Sequence, residues 1–377
     1  MFKQNCNVHG FLYFNEIEEE IIRHPEFNRL ADVKQLGYAY KAAYKGATHS
    51  RLAHSLGTCF LSREIVKDTI LKNRELLLKS KDIRNLPNEN ELNEIESQIN
   101  SLSAAALLHD INHVPYSHLI QHNLLRSYEI ILSESGFENR IDNFYSCKKF
   151  DSTHRENVKN ILIKSRHRNF KYAGLFHEII RGDLGASTLD FVARDHLKCG
   201  FGKLDLDRPY DSFLFVKVRN KVRIALDIRL NTFPLTMVYN ILFNRFKLAQ
   251  RVYFHRTTTA AEAMIGRAIR RLLELGETKR DNILNDFILK NENDYRFMCF
   301  LEDHSDSIIK KIGSALKTRQ LYDEAFTLEW KTEDDPIRPF LCENFIGEDN
   351  FMKCKELEQA IAKEFDIAED RIIIFCH

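Results

Sequence analysis

At 377 residues, with 44% hydrophobic and 29% charged side chains, the chain has room for two or three domains and the balance of a globular protein with a sizeable core. Its 55 Lys and Arg nearly cancel its 54 Asp and Glu, which excludes a whole-chain nucleic-acid clamp and an acidic disordered tail. Few glycines (14) and prolines (7) disfavour a sandwich or propeller, and eight scattered cysteines without a C-x-x-C pair do not make a zinc ribbon or disulfide scaffold.

Met1 to Asn5 lacks the apolar run of a signal peptide, and no stretch approaches 18 uncharged apolar residues. The expectation is a cytoplasmic protein with reduced thiols and no membrane contact. Apolar side chains at three- and four-residue spacing predict a half-buried helix over 60–78. Residues 80–98 are polar and contain Pro87, a surface connection into a helix from about Glu91 to Ile111. The second half of that helix, Leu102 to Leu108, is apolar or small throughout and therefore buried on all sides. Further helices are expected at 116–134, 154–165, 173–181, 186–197, 234–249 and 258–275. The runs 213–218 and 222–226, joined at Arg219-Asn220-Lys221, read as a β-hairpin inserted between helices. Beyond residue 323, strands at 326–330 and 371–375 around a helix at 355–365 make a small α/β appendage, 323–377. The fold class is mostly α, with residues 1–322 as the principal domain.

The histidines carry the chemistry. His109-Asp110 closes the buried helix, with His113, His118 and His122 close behind. An imidazole and a carboxylate at the end of an apolar helix are costly to bury unless paired or bound to metal. The same mixture suits Mn, Fe, Ni or Zn with positions left open for water. Upstream lies Arg51-Leu52-Ala53-His54-Ser55-Leu56-Gly57, and downstream Pro115-Tyr116-Ser117-His118.

Together with Thr153-His154-Arg155-Glu156, the run from Gly182 to Asp195, the 213–226 hairpin and Val252-Tyr253-Phe254-His255-Arg256, these segments resemble the HD-domain phosphohydrolases. The nearest branch is that of the deoxynucleoside-triphosphate triphosphohydrolases and their SAM-domain-bearing relatives. The resemblance spans about residues 40–275. It implies an HD-type helical bundle in which His54, His109 and Asp110 bind a divalent metal (Mn, Fe, Ni, Mg or Zn). It further implies that Arg51 contacts substrate phosphate, that His113, His118 and His154 surround the scissile phosphate, and that His154 is the general acid/base. Asp195, Tyr253, His255 and Arg256 match positions that hold the nucleotide's sugar and phosphates. The nucleotide is then expected between the His-Asp site and the Tyr253/His255/Arg256 helix, and relatives that assemble as dimers or larger species imply a homo-oligomer.

The departures are specific. Where the family has Gly-Ala-Asp followed by a basic residue and Leu-Asp-Tyr, this chain has Gly185-Ala186-Ser187-Thr188-Leu189-Asp190-Phe191. The fourth metal ligand is thus replaced by Ser187, and Gln121 stands where the nearest relatives pair an Asp with the catalytic histidine. Asp183 and Asp190, four before and three after Ser187, are candidates to rescue the lost carboxylate.

Three functions stay open. The first is metal-dependent hydrolysis of a dNTP to nucleoside and triphosphate. The second is an HD phosphodiesterase or nuclease acting on another nucleotide or a nucleic-acid end. The third is a degenerate HD protein that binds nucleotide or a protein partner without turnover. His122, His167, His177 and His196 read as structural or exposed. The basic run Lys164, Arg166, His167, Arg168, Lys171 is a solvated loop or a polyanion contact.

Overall fold

The first element is a β-hairpin that the periodicity reading had not anticipated. Strand β1 (Phe2–Cys6) pairs antiparallel with β2 (Gly10–Phe14), from Phe2 opposite Phe14 to Cys6 opposite Gly10. Gly10 has φ +77°, a conformation that glycine adopts without steric cost, and it re-enters the ladder directly after His9. This computed structural model describes residues 2–79, 85–116, 134–146, 151–204, 209–229, 232–275, 293–327, 332, 334–345 and 350–374.

The described residues are mostly helical, with two small antiparallel sheets. They form two compact units, one from residues 1–35, 46–113 and 133–250, the other from 36–45, 114–132 and 251–377. The units follow spatial contact rather than chain order, so the stretch 1–322 is distributed over both, and 323–374 belongs with 251–322.

In the first unit the hairpin leads into α1 (Glu16–Arg23), opened by a capping box between Asn15 and Glu18. The long helix α2 (Arg51–Lys79) begins nine residues before the expected start at 60. Its first turns show no amphipathic period because Arg51 and every residue from His54 to Cys59 are buried. The helix expected over 91–111 is two helices, α3 (Glu89–Ser97) and α4 (Ile99–Leu108), separated at Gln98 by a non-helical backbone of φ −99° and ψ 8°. All of α4 from Ser101 to Leu108 is buried, as its composition requires.

Next come α5 (Glu134–Phe144), α6 (Ser152–Leu162), α7 (Ala173–Arg181) and α8 (Ala186–Lys198). Helix α2 packs against both α4 and α8, which brings together the three segments that carry the motifs. The second hairpin is found where the sequence puts it, β3 (Phe213–Val218) against β4 (Lys221–Leu226). Arg219 and Asn220 both have positive φ, the mark of a two-residue type I′ turn. Helix α9 (Phe233–Leu248) completes the unit. The helix expected over 116–134 lies almost wholly on residues 117–133, outside those described, and so do His118, Gln121 and His122.

The second unit is built on α10 (Arg256–Glu274), α11 (Asp294–Asp303) and α12 (Ser307–Thr318). Ala261, Met264, Ile265 and Ala268 of α10 join Phe297, Leu301, Ile312 and Leu316 in one core with Tyr38 and Tyr116. Gly313 lets α12 approach α11, since a Cβ there would lie 2.7 Å from the backbone of Leu301. The appendage corrects an expectation. Its helices α13 (Ile337–Phe345) and α14 (Asn350–Glu364) are present, but the described parts of the two expected strands, 326–327 and 371–374, are not strands. Residue Ile372 is extended, yet the Ile374 N–H donates to the Glu358 carboxylate at 2.9 Å instead of to a neighbouring strand.

Candidate metal centre

Three of the sequence-predicted site residues converge. His54 sits in the first turn of α2, three residues after Arg51 and on the same face. His109 and Asp110 follow the last turn of α4, where the apolar run ends. Their ligand atoms, one from each residue, lie within 4.8 Å of one another, and all three side chains are buried. The His109 Nε2 is 3.3 Å from His54 Nε2 and 3.4 Å from Asp110 Oδ1, and His54 Nε2 is 3.9 Å from Asp110 Oδ2. A cation held at about 2.0–2.2 Å requires ligand atoms roughly 3.0–3.5 Å apart, so the cluster is near the size the bonds demand.

The hydrogen bonds behind the rings decide which nitrogen faces inward. Asp190 Oδ2 accepts from His54 Nδ1 at 2.8 Å, and the Ala106 carbonyl accepts from His109 Nδ1 at 2.8 Å. Neither acceptor can donate, so both rings carry their proton on Nδ1 and turn an Nε2 lone pair towards each other. This is the orientation that metal-binding histidines take when an outer partner fixes the tautomer. Burial, helped by the neighbouring His54 and Arg181, outweighs the negative charge of Asp110 and pushes His109 down to about 4, so the ring is neutral at physiological pH. Burial alone would raise Asp110, but His109, His113 and Arg51 outweigh it and hold the carboxyl well below its usual range.

The other predicted residues fall into place unequally. Arg51 donates to Asp110 Oδ2 at 2.8 Å, and His113 Nε2 is 3.3 Å from Asp110 Oδ1. Arg29, buried beneath, holds the carbonyls of Ile111 and His113 at 2.7 Å each and so fixes the turn that carries His113. His154, on α6, lies with Nδ1 3.5 Å from the Ser101 hydroxyl, at the opposite end of α4 from His109. Asp195 is buried and accepts from His49 Nε2 at 2.7 Å. His255 caps α10 by accepting from the Thr257 N–H at 3.2 Å and packs edge-on against Tyr44. Tyr253 is half-buried and Arg256 exposed, and these three residues belong to the second compact unit.

Ser187 stands at the position of the missing carboxylate, its hydroxyl 3.2 Å from His54 Nε2. Neither acidic neighbour replaces it. Asp183 is exposed and outside the cluster, while Asp190 has both oxygens committed behind His54, to His54 itself, His9 and Arg194. The basic run after α6 is largely neutralised from within: Arg166 pairs with Glu138 and Glu156, and Lys171 with Glu94. Sequence reasoning missed His9 and His49, which lie outside the helical periodicity and show their importance only through partners 181 and 146 residues away.

Residues 232–376 match the family described as the HD associated region. The chain is 26% identical over 326 residues to the protein MJ1154 of Methanocaldococcus jannaschii, covering 86% of this chain and 59% of that protein. It is 22% identical over 293 residues to the human deoxynucleoside triphosphate triphosphohydrolase SAMHD1, covering 69% of this chain and 43% of SAMHD1. A crystal structure of a phosphohydrolase from Bacteroides thetaiotaomicron shares the fold, with a TM-score of 0.68 at 20% identity over 98% of this chain and 86% of that one. The chain has the fold of a phosphohydrolase and resembles the HD-domain phosphohydrolases in sequence. The His109-Asp110 pair at the end of α4 is the dipeptide for which those proteins are named, and the chain spans 59% of its archaeal relative and less than half of SAMHD1. Among its described residues no helix is long and apolar enough to cross a membrane.

Proposed function

We propose that this HD protein is a metal-dependent phosphohydrolase of nucleotides, and that its reaction converts a deoxynucleoside triphosphate to nucleoside and triphosphate. The observation that carries the reading is the pair of inward-facing Nε2 lone pairs of His54 and His109 beside the Asp110 carboxylate. Two unprotonated nitrogens aimed at each other repel unless a cation or a proton lies between them. His54, His109 and Asp110 would hold the metal, one of Mn, Fe, Ni, Mg or Zn. When bound, such an ion polarises a phosphoryl oxygen and lowers the pKa of water.

The chain's own residues supply the rest. Arg51, beside Asp110, is assigned to the substrate phosphate, whose oxygens suit a planar guanidinium fork. His113 lies one carboxylate away, and His113, His118 and His154 are assigned proton transfer around the scissile phosphate. Asp195, Tyr253, His255 and Arg256 are assigned to the sugar and phosphates. In this reading residues 1–322 are the catalytic module and 323–377 its appendage, in a cytoplasmic protein. Free thiols at Cys6, Cys59, Cys199, Cys299 and Cys354 support a reducing compartment.

We also propose a homo-oligomer. Leu235 (51% exposed), Tyr239 (66%), Leu242 (51%) and Phe246 (63%) form a four-three-four spaced stripe on α9, widened by Phe243. That is the seam by which helices pair. A second reading, a binder without turnover, is favoured by Ser187, because the one carboxylate left in the cluster is already paired with Arg51. Purified protein assayed with each metal against a panel of dNTPs, NTPs, cyclic nucleotides and oligonucleotides separates the readings. Release of nucleoside plus triphosphate supports the first. Monophosphate points to a phosphodiesterase, and bound metal and nucleotide without product point to the binder.

A further inference from the structure

We propose that His9, in the turn of the N-terminal hairpin, is a positioning residue of the metal centre: it locks Asp190, and through Asp190 the ring of His54. The inference rests on reading His54, His109 and Asp110 as metal ligands. Asp190 is wholly buried, and each of its oxygens takes one imidazole. Oδ1 accepts from His9 Nε2 at 2.7 Å and Oδ2 from His54 Nδ1 at 2.8 Å. An ionised carboxylate only accepts, so His9 presents an Nε2 proton and His54 an Nδ1 proton. The result is a bridge, His9–Asp190–His54, whose far end is the nitrogen that faces the cation.

Arg194 also grips both oxygens, at 2.8 and 2.7 Å, but it lies one turn further along the same helix and moves with the carboxylate it holds. His9 comes from a different element, so it anchors Asp190 against α8 as a whole. There is no slack at this point. A Cβ added at Gly57 would lie 1.8 Å from Asp190 Oδ1 and 2.6 Å from the Arg194 guanidinium, so the bare backbone of α2 is the floor on which the carboxylate rests. The hairpin is itself fixed there, with the His9 ring packed 5.6 Å from Phe60 and the Cys6 sulfur accepting from Arg194 at 3.4 Å. The His9 side chain is only 8% exposed although it lies at a hairpin turn, and its Nε2 goes to the residue that sets a ligand's tautomer.

The test compares His9→Gln, whose amide nitrogen can donate where Nε2 does, with His9→Phe, which keeps the ring packing and removes the donor. Free Mn(II) is followed by electron paramagnetic resonance while metal-free protein is titrated with MnCl2, alongside wild type and His54→Ala. Outer partners of metal-bound histidines are typically worth about 10–100-fold in affinity; His9 holds that partner, so His9→Phe should bind Mn(II) weaker by about the lower end of that range, roughly tenfold, while His9→Gln stays within about threefold of wild type. Thermal unfolding of the metal-free variants shows whether each is folded. If His9→Phe is not, His9→Asn, whose shorter amide falls short of Asp190, replaces it. Wild-type affinity in folded His9→Phe, with affinity lost in His54→Ala, overturns the role of His9 while leaving the metal centre intact. Equal binding by wild type and His54→Ala instead removes the metal reading, and this inference with it.

Discussion

His54 Nε2 and His109 Nε2 face one another across 3.3 Å, each ring held from behind by an acceptor on its Nδ1. A neutral pair in this geometry is lone pair against lone pair, and a cation between them removes the repulsion. Metal should therefore stabilise the fold. A ligand that binds only the native state at 100 times its Kd adds about 2.7 kcal/mol, so Mn(II) or Zn(II) at that excess should raise the Tm by several degrees. His109→Ala should abolish the rise, measured by differential scanning calorimetry with and without chelator. A Tm indifferent to metal in the wild type removes the centre.

Ser187 is the feature that most distinguishes this site, and it makes a directional prediction. Its hydroxyl donates to the His54 lone pair that a metal would use, and it brings no charge. Ser187→Asp restores an anionic ligand, and loss of outer partners alone costs about 10–100-fold, so metal affinity should rise by at least about tenfold. Ser187→Ala removes only the competing hydrogen bond and should leave affinity within a few-fold of wild type. Isothermal titration of the three proteins with one metal reads the series, and an unchanged affinity in Ser187→Asp means that the ligands are held too far from residue 187 to share a cation.

The metal-free protein should lose stability as pH falls from about 6.5 to about 4. Burial lowers His109 and His177 to about 4 in the native state, whereas both titrate near 6.5 when unfolded. The unfolded chain thus binds more protons throughout that window, and protonation favours unfolding. Each group contributes a slope of at most about 1.4 kcal/mol per pH unit, less for His177, which is only half-buried. Urea unfolding at pH 7, 6, 5 and 4.5 should show a steeper decline in wild type than in His177→Gln. Parallel curves would mean that the His177 ring is hydrated in the native protein.

Much of this site could be read from the chain because its ligands sit on helices with strong local signatures. The run Leu102 to Leu108 announces a buried helix, and His109-Asp110 is conspicuous at its end. The hairpin at 213–226 was equally legible, since two alternating runs around Arg219-Asn220 admit few other structures. What escaped was the support. His9 lies in a three-residue turn with no period of its own, and Asp190 looks from sequence like a substitute ligand three residues from Ser187. Only the fold reveals that Asp190 points at the back of His54. The described parts of the strands expected at 326–330 and 371–375 are not strands, for a related reason. Apolar β-branched residues predict extended backbone, as Ile372 adopts, but pairing needs a neighbour, and Glu358 takes the hydrogen bond at Ile374.

Arg51 separates binding of the ion from turnover. Its guanidinium pairs with Asp110, so it competes electrostatically with any cation that Asp110 holds, while the proposed reaction needs its donors on phosphate. Arg51→Ala should bind Mn(II) more tightly than wild type yet lose at least about 100-fold in kcat/KM, the scale of one oriented donor to developing charge. Arg51→Lys keeps the charge without the planar fork and should fall between. Weaker metal binding in Arg51→Ala would show instead that the arginine's main task is to hold Asp110 in place.

The exposed stripe on α9 makes the oligomer proposal testable. Leu235, Tyr239, Leu242, Phe243 and Phe246 are each about half exposed, while Met237 and Ile241 on the other side are buried. Large side chains bury about 150–250 Å² each, so covering this stripe removes roughly 500 Å² per protomer, on the order of 1,000 Å² per pair, where specific interfaces begin. Helix α9 carries Arg245 and Lys247 near its end and no acidic residue. Two copies side by side in parallel would set like charges together, whereas an antiparallel pair about a two-fold axis separates them and opposes the helix dipoles. Leu242→Glu places a carboxylate in the seam and should weaken association on the order of 100-fold. Sedimentation velocity over a concentration series should show a dimer for the wild type and a monomer for Leu242→Glu at the same micromolar loading. A wild type that sediments as a monomer throughout, or a Leu242→Glu dimer as tight as wild type, assigns the stripe to something other than self-association.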